Sequence, residues 1–254
     1  MTTAMPAPPQ ELGYVGQFVH QTITRLQRGY LDDHSAAVAE LARLRRGVGK
    51  PAGAAPDLWG LTADESLYGR QSRRERLRKP DPDCASDAEA AAHIALTLYA
   101  THQQSHHGDR MHVRGCALGA AVRRLMPPGD IEESIRRRFV QAGNAHTVEV
   151  LAQRLRELVL LLRRAGIPLD YGLLADQLEM AQDPERREWV RRAWGRSFHA
   201  YRPPRTGGPN TPAAAVASAA PAAPDDGTAP TPMHTAAPAA AQPDTTTEPD
   251  KDDA

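Results

Sequence analysis

Apolar residues recur at three- and four-residue intervals from about residue 10 to residue 203, with no sustained alternation of period two. This pattern predicts an all-α protein of eight or nine helices. A first helix is expected from about Glu11 to Tyr30, with Tyr14, Phe18, Val19, Thr22 and Leu26 along its inner side. A second begins near Ser35 and stops at Gly47 and Gly49, with Val38, Leu41 and Leu44 as its stripe. The segment KPAGAAPDLWG over residues 50–60 reads as a loop that docks Trp59 into the core. Thr62 and Glu65 have the spacing of a capping box, and the helix they open carries Arg70, Arg73, Arg74, Arg76, Arg78 and Lys79.

Pro80 and Pro82 interrupt the chain. Ser86 and Glu89 form a second capping box ahead of an Ala-rich helix that runs through Ile94, Leu98 and Tyr99 to about Ser105. Helices are then expected over 114–126, from a cap at Asp130 with Ile131, Ile135 and Phe139 inward, and from about His146 to Arg164. Two more follow, one capped by Asp170 and one opened by Asp183 and Pro184 with Val190, Trp194 and Phe198 inward. The run from Leu158 to Leu162 is apolar around the whole helix, which places that helix at the centre of its bundle or against a partner, the central position being preferred. The expected organisation is one small bundle over 10–107, a second over 108–205, and a tail.

Residues 206–254 hold fifteen Ala, nine Pro and eight Thr, with no aromatic side chain. Such a segment buries too little surface to offset its ordering entropy and reads as disordered. All twelve aromatic residues lie between Tyr14 and Tyr201. The charge divides at the same point. The chain as a whole has 31 basic and 31 acidic residues, a balance that by itself argues against a nucleic-acid binder. The tail, however, has Lys251 against seven carboxylates, a net charge of −6, which leaves +6 on residues 1–205, where 28 of the 30 basic residues are Arg. The acidic tail is read as a solubilising appendage rather than as an intramolecular competitor for the arginines. With no long apolar run, no signal-like start and only Cys84 and Cys116, a soluble cytosolic protein without a disulfide framework is expected.

Little in the sequence offers catalysis. There is no Gly-rich phosphate loop, no Gly-x-Ser-x-Gly elbow and no Cys-x-x-Cys pair, so no catalytic residue and no cofactor is assigned. His102 and His106, four apart, would share a helix face as zinc ligands do, with His107 and His112 nearby. No Glu or Cys completes such a set, and the segment reads as a polar helix end, with no metal.

The arginines carry more information. Arg43 and Arg46 lie on the outer side of the second helix and Arg45 at its flank; Arg156 and Arg163, seven apart, share an outer flank of the long seventh helix. In the last helix Trp189, Arg192 and Arg196 fall together on the face opposite Trp194 and Phe198. Guanidinium forks suit phosphate, and exposed aromatic rings stack on bases. A solvated helix face in a protein from a G- and C-rich genome has the same appearance, so both readings stay open.

At these residues the chain resembles CasB, the small-subunit family of the type I-E CRISPR surveillance complex Cascade. The resemblance spans about residues 14–202. It rests on RLRELVLLLRRAGIPLDYGLLADQL from Arg154, WVRRAWGRSFHAY from Trp189, LARLRRGVGK from Leu41 with DLWGLT after it, EAAAHIALTLYATHQQS from Glu89, and IRRRF from Ile135. It implies a non-catalytic helical subunit in antiviral defence that binds nucleic acid and stabilises the loop in which guide RNA displaces one DNA strand. The implied partners are the backbone and large subunits of Cascade, the guide RNA, the displaced strand of target DNA and a second copy of the chain. The implied contacts are Arg45, Arg46, Arg137, Arg138 and Arg156. Glu157 stands where relatives carry a second basic residue, and Ala120 where they often carry Arg after the glycine, a contact that Arg123 or Arg124 would then supply. The rival expectation is a helical spacer between proteins with no direct nucleic-acid contact.

Overall fold

The computed structural model describes residues 10–63, 67 and 86–201. Eight α-helices lie among them: α1 Tyr14–Leu31, α2 Ser35–Arg46, α3 Asp87–Gln103, α4 Leu118–Arg124, α5 Glu133–Gly143, α6 Val148–Arg164, α7 Tyr171–Gln182 and α8 Pro184–Ala200. Two 3-10 turns, Ala52–Ala54 and Pro56–Leu58, follow α2. The only β pairing among the described residues is one bridge between His112 and Leu169. The all-α class follows directly. The expected tail, Cys84 and the arginine-bearing helix after Thr62 lie outside the described residues. No helix among them is long and apolar enough to cross a membrane.

Local chemistry sets several helix starts. The Ser86 hydroxyl accepts from Glu89 N at 3.1 Å while the Glu89 carboxylate accepts from Ser86 N at 2.7 Å, closing the capping box that opens α3. Thr147, Asp170 and Asp183 cap α6, α7 and α8 through their own side-chain oxygens. Helix α1 is different, because Gly13 has no side chain to offer. Its free N–H groups are satisfied from α7, where Asp176 accepts from Gly13 N at 2.8 Å and from Gly16 N at 2.7 Å.

The centre of the molecule is made by α3 and α7. Helix α3 packs against α1, α2, α6 and α7, and α7 packs against α1, α3, α6 and α8. Alanines at 88, 91, 92, 95 and 100 let neighbouring helices approach α3 from several sides. Helices from before and after residue 108 contribute to one continuous cluster of buried apolar residues, so no gap in the core marks that position.

Four expectations shift. Helix α1 buries Val15, Val19, Ile23, Leu26 and Tyr30, leaving Tyr14 and Phe18 half-buried, because it packs on α7 as well as on α2 and α3. Helix α4 begins only at Leu118, since the preceding strand-like segment is held to Leu169 by hydrogen bonds from Val113 N and to Met111 O. Helix α5 begins at Glu133 after extended chain, and Ile131 is consequently 52% exposed rather than inward. The Leu158–Leu162 run is not surrounded: Leu158, Val159 and Leu162 are buried, whereas Leu160 and Leu161 are only half-covered.

Candidate nucleic-acid interface

The loop after α2 departs most from expectation. Trp59 is 60% exposed, and the residue that docks is its neighbour Leu58, which is fully buried. Leu58 fits against Gly47, where a β-carbon would lie 2.3 Å from the leucine methyl. Burying one leucine contributes about 1.5–3 kcal/mol. The Pro56–Leu58 turn therefore rotates Leu58 inward and Trp59 outward. The turn is fastened further by the Arg43 guanidinium, which donates to the Asp57 carbonyl, and by His93, whose Nε2 lies 3.0 Å from the Lys50 carbonyl. Arg43 thus performs a structural task, while Arg46 at the end of α2 is exposed and has no ion pair or hydrogen bond among the described residues.

A second group forms where α1, α2 and α6 end. Arg45 is half-buried there. Burial lowers its pKa, Tyr30 opposes that, and the charge of Arg163 lowers it further, so the two guanidinium groups lie within electrostatic reach of each other. Arg163 is oriented by the loop after α3: its Nε donates to Gln104 O at 3.0 Å, and its backbone carbonyl lies 2.9 Å from His106 Nε2. Tyr30 completes the junction, its hydroxyl accepting from Ser105 N at 3.1 Å and its ring stacked on His107 with centroids 4.8 Å apart. Arg156 is exposed two turns before Arg163 on the same flank of α6, about 10.5 Å along the axis. No carboxylate is paired with Arg45, Arg46, Arg156 or Arg163 among the described residues.

The remaining predicted residues are more scattered. Arg123 donates to Pro127 O at 3.1 Å, tying the end of α4 to the loop after it, and Arg124 is exposed. Arg137 is exposed and unpaired among the described residues, while Arg138 reaches Ser134 O at 3.4 Å. On α8, Trp189 is 42% exposed, Arg196 is exposed, and Arg192 pairs with Glu188 at 3.0 Å. Arg154 pairs with Glu157 at 3.0 Å, so the acidic residue noted in the sequence neutralises a neighbour on α6.

The histidines do not converge. Helix α3 ends at Gln103 and Ser105 has a left-handed φ of 68°, which removes His106 from the helix face of His102. His102 Nδ1 meets the Tyr171 hydroxyl at 2.9 Å, His106 and His107 make the loop contacts given above, and His112 lies between His20 and Tyr171. No group of three or more His, Cys, Asp or Glu among the described residues is placed to hold a metal ion. Cys116 is half-buried, and burial raises the pKa of its thiol.

Compared with known proteins, residues 40–199 match the family model described as CRISPR-associated protein Cse2. The crystal structure of CasB from Thermobifida fusca is 55% identical, with 75% of this chain and 100% of that chain covered and a TM-score of 0.65. A Cse2-family CRISPR-associated protein from Thermus thermophilus is 24% identical, covering 74% of this chain and 99% of that one at a TM-score of 0.53. A chain of a CRISPR RNA-guided surveillance complex is 20% identical, covering 73% and 94% at a TM-score of 0.50. These last two share the fold. No curated protein matches. The chain belongs to the Cse2 family of CRISPR-associated proteins.

Proposed function

We propose that this chain is a non-catalytic, cytoplasmic subunit of a CRISPR surveillance complex that holds nucleic acid on an arginine surface and stabilises the loop in which guide RNA displaces one DNA strand. The observation that carries the reading is the junction of α1, α2 and α6. Arg45 feels the charge of Arg163 there, Arg46 and Arg156 are exposed on the same two helices, and no carboxylate is paired with any of the four among the described residues. Gathering like charge costs free energy in the isolated protein and is repaid when a polyanion is bound.

The magnitudes suit an accessory role. Exchanging a DNA duplex for an RNA–DNA hybrid is nearly neutral, so modest contacts to the displaced strand shift the balance. A domain of +6 binds weakly on its own, measurably at low salt, and is adequate inside a complex whose other subunits hold the guide and the target. The family membership supports the complex as the setting, with backbone and large subunits, guide RNA and a second copy of the chain as neighbours.

The test is to replace Arg45, Arg46 and Arg156 by Ala, confirm by pulldown that the subunit stays in its complex, and measure retention of target DNA. The reading expects assembly intact and affinity lowered about tenfold or more, with a weaker dependence on salt. Loss of the subunit from the complex would instead identify these arginines as protein contacts and the chain as a spacer.

A further inference from the structure

We infer that Trp59, on a turn packed against the end of α2, which carries Arg46 and is followed by Lys50, forms a stacking site for an unpaired nucleobase, an inference that rests on the strand-binding reading above. Trp59 is the most exposed large apolar side chain among the described residues, at 60%. It does not belong to a loose loop. Trp59 N donates to Pro56 O at 3.1 Å, Leu61 N and Thr62 N both donate to Leu58 O, and Gly60 supplies the left-handed turn at φ 81° that lets the chain fold back. Leu58 anchors one side of the turn in the core and Arg43 ties its other side to α2. The indole is thus presented to solvent on a backbone fixed from both sides.

The surroundings of the ring select the chemistry of its partner. The Leu58–Gly47 contact packs the turn that carries Trp59 against the end of α2, where Arg46 precedes Gly47. Lys50, exposed, closes the turn after α2 with its N–H on Gly47 O at 3.0 Å. From Arg46 to Thr62 the chain carries Arg46 and Lys50 against the single carboxylate of Asp57, so this stretch keeps a positive excess. An exposed aromatic face on a turn packed against a helix end with two exposed cations, neither in an ion pair among the described residues, matches a partner with flat bases and an anionic backbone, which is single-stranded nucleic acid. A protein hot spot uses an exposed indole and an arginine as well, so the abasic strand and the assembled complex serve below to separate the two partners. The turn packs on Gly47, just beyond the end of the helix that carries Arg45 and Arg46, so it extends the arginine-bearing end of α2.

The experiment uses the full chain with Trp59→Ala and Trp59→Phe, first matched to the parent by circular dichroism and thermal melting. The probes are a single-stranded oligo-dT and an abasic strand of equal length, at low salt. Trp59→Ala is expected to weaken oligo-dT binding about tenfold while leaving the abasic strand unchanged, and Trp59→Phe to retain most of the affinity. Equal binding of oligo-dT by the parent and Trp59→Ala overturns the stacking site while leaving the arginine surface intact. Failure of the parent to bind either probe overturns the strand-binding reading itself. Unchanged oligo-dT affinity together with loss of Trp59→Ala from the assembled complex assigns the indole to a protein contact instead.

Discussion

His112 illustrates how single side chains tie this fold to pH. Tyr171 N donates to His112 Nδ1 at 3.1 Å, so the ring proton sits on Nε2 and points at His20 Nδ1, 2.8 Å away. That arrangement needs both rings neutral. Burial lowers the pKa of His112 to about 4, against the opposing pull of the Asp170 carboxylate, and burial lowers that of His102 to about 3. In the unfolded chain both titrate near 6.5. Below 6.5 the unfolded state therefore binds protons that the folded state refuses, and stability falls as pH falls. Each histidine contributes about 1.4 kcal/mol per pH unit over the window from 6.5 towards its folded value. Urea denaturation at pH 7.5, 6.5 and 5.5 is expected to show stability nearly level over the first step and falling steeply over the second. A level profile across both steps would show that the histidines are accessible to protons in the folded state. The sequence shows these histidines as a cluster at metal-like spacing; it does not show that Ser105 reverses the chain and sends His102 and His106 to different partners.

Three helix starts were legible in the sequence from local caps, whereas Asp130, expected to cap α5, does not do so, because that helix begins at Glu133 without a side-chain cap. Ser86 with Glu89, Asp170, and Asp183 with Pro184 all act where their spacing placed them. The α1 start was not legible, because its cap, Asp176, is 163 residues from Gly13. Close helix crossings are hidden in the same way. Helix α4 meets α8 through Gly119, where a β-carbon would stand 2.1 Å from Trp194 O and 2.6 Å from Phe198 N. Both are backbone atoms of a helix and cannot move aside cheaply. Gly119→Ala is expected to destabilise the protein by about 1–3 kcal/mol, as overpacking does. Gly195, inside α8, has nothing within 4 Å of its β-carbon position. Gly195→Ala is expected to stabilise by about 0.5–1 kcal/mol through helix propensity. Thermal melts of the pair check both signs, and equal effects would mean that the crossing is looser than its geometry shows. The turn after α2 is the third case: DLW offers two apolar residues to the core, and only the three-residue turn decides that Leu58 enters while Trp59 remains outside.

For the whole molecule, charge is the property that links fold to role. A net of zero over 254 residues conceals a +6 domain, a division visible in the sequence. What the sequence could not supply was which arginines are already committed. Arg43, Arg123, Arg163 and Arg192 have partners within the protein and Arg137 interacts with the Glu133 carboxylate, whereas Arg46, Arg156 and Arg196 have no ion pair or hydrogen bond among the described residues. Helix geometry placed Arg156 and Arg163 on one flank, but the electrostatic influence of Arg163 on Arg45 depends on the tertiary packing of the helices that carry them. The central claim is that this surface neutralises phosphates. It is tested most directly by the slope of log affinity against log salt for oligo-dT binding to the full chain. Three or four phosphate contacts predict a slope of about −2 to −3, made shallower by about 2 in the Arg45, Arg46 and Arg156 triple alanine variant. A slope near zero in the parent, or one that the triple variant leaves unchanged, would contradict the account.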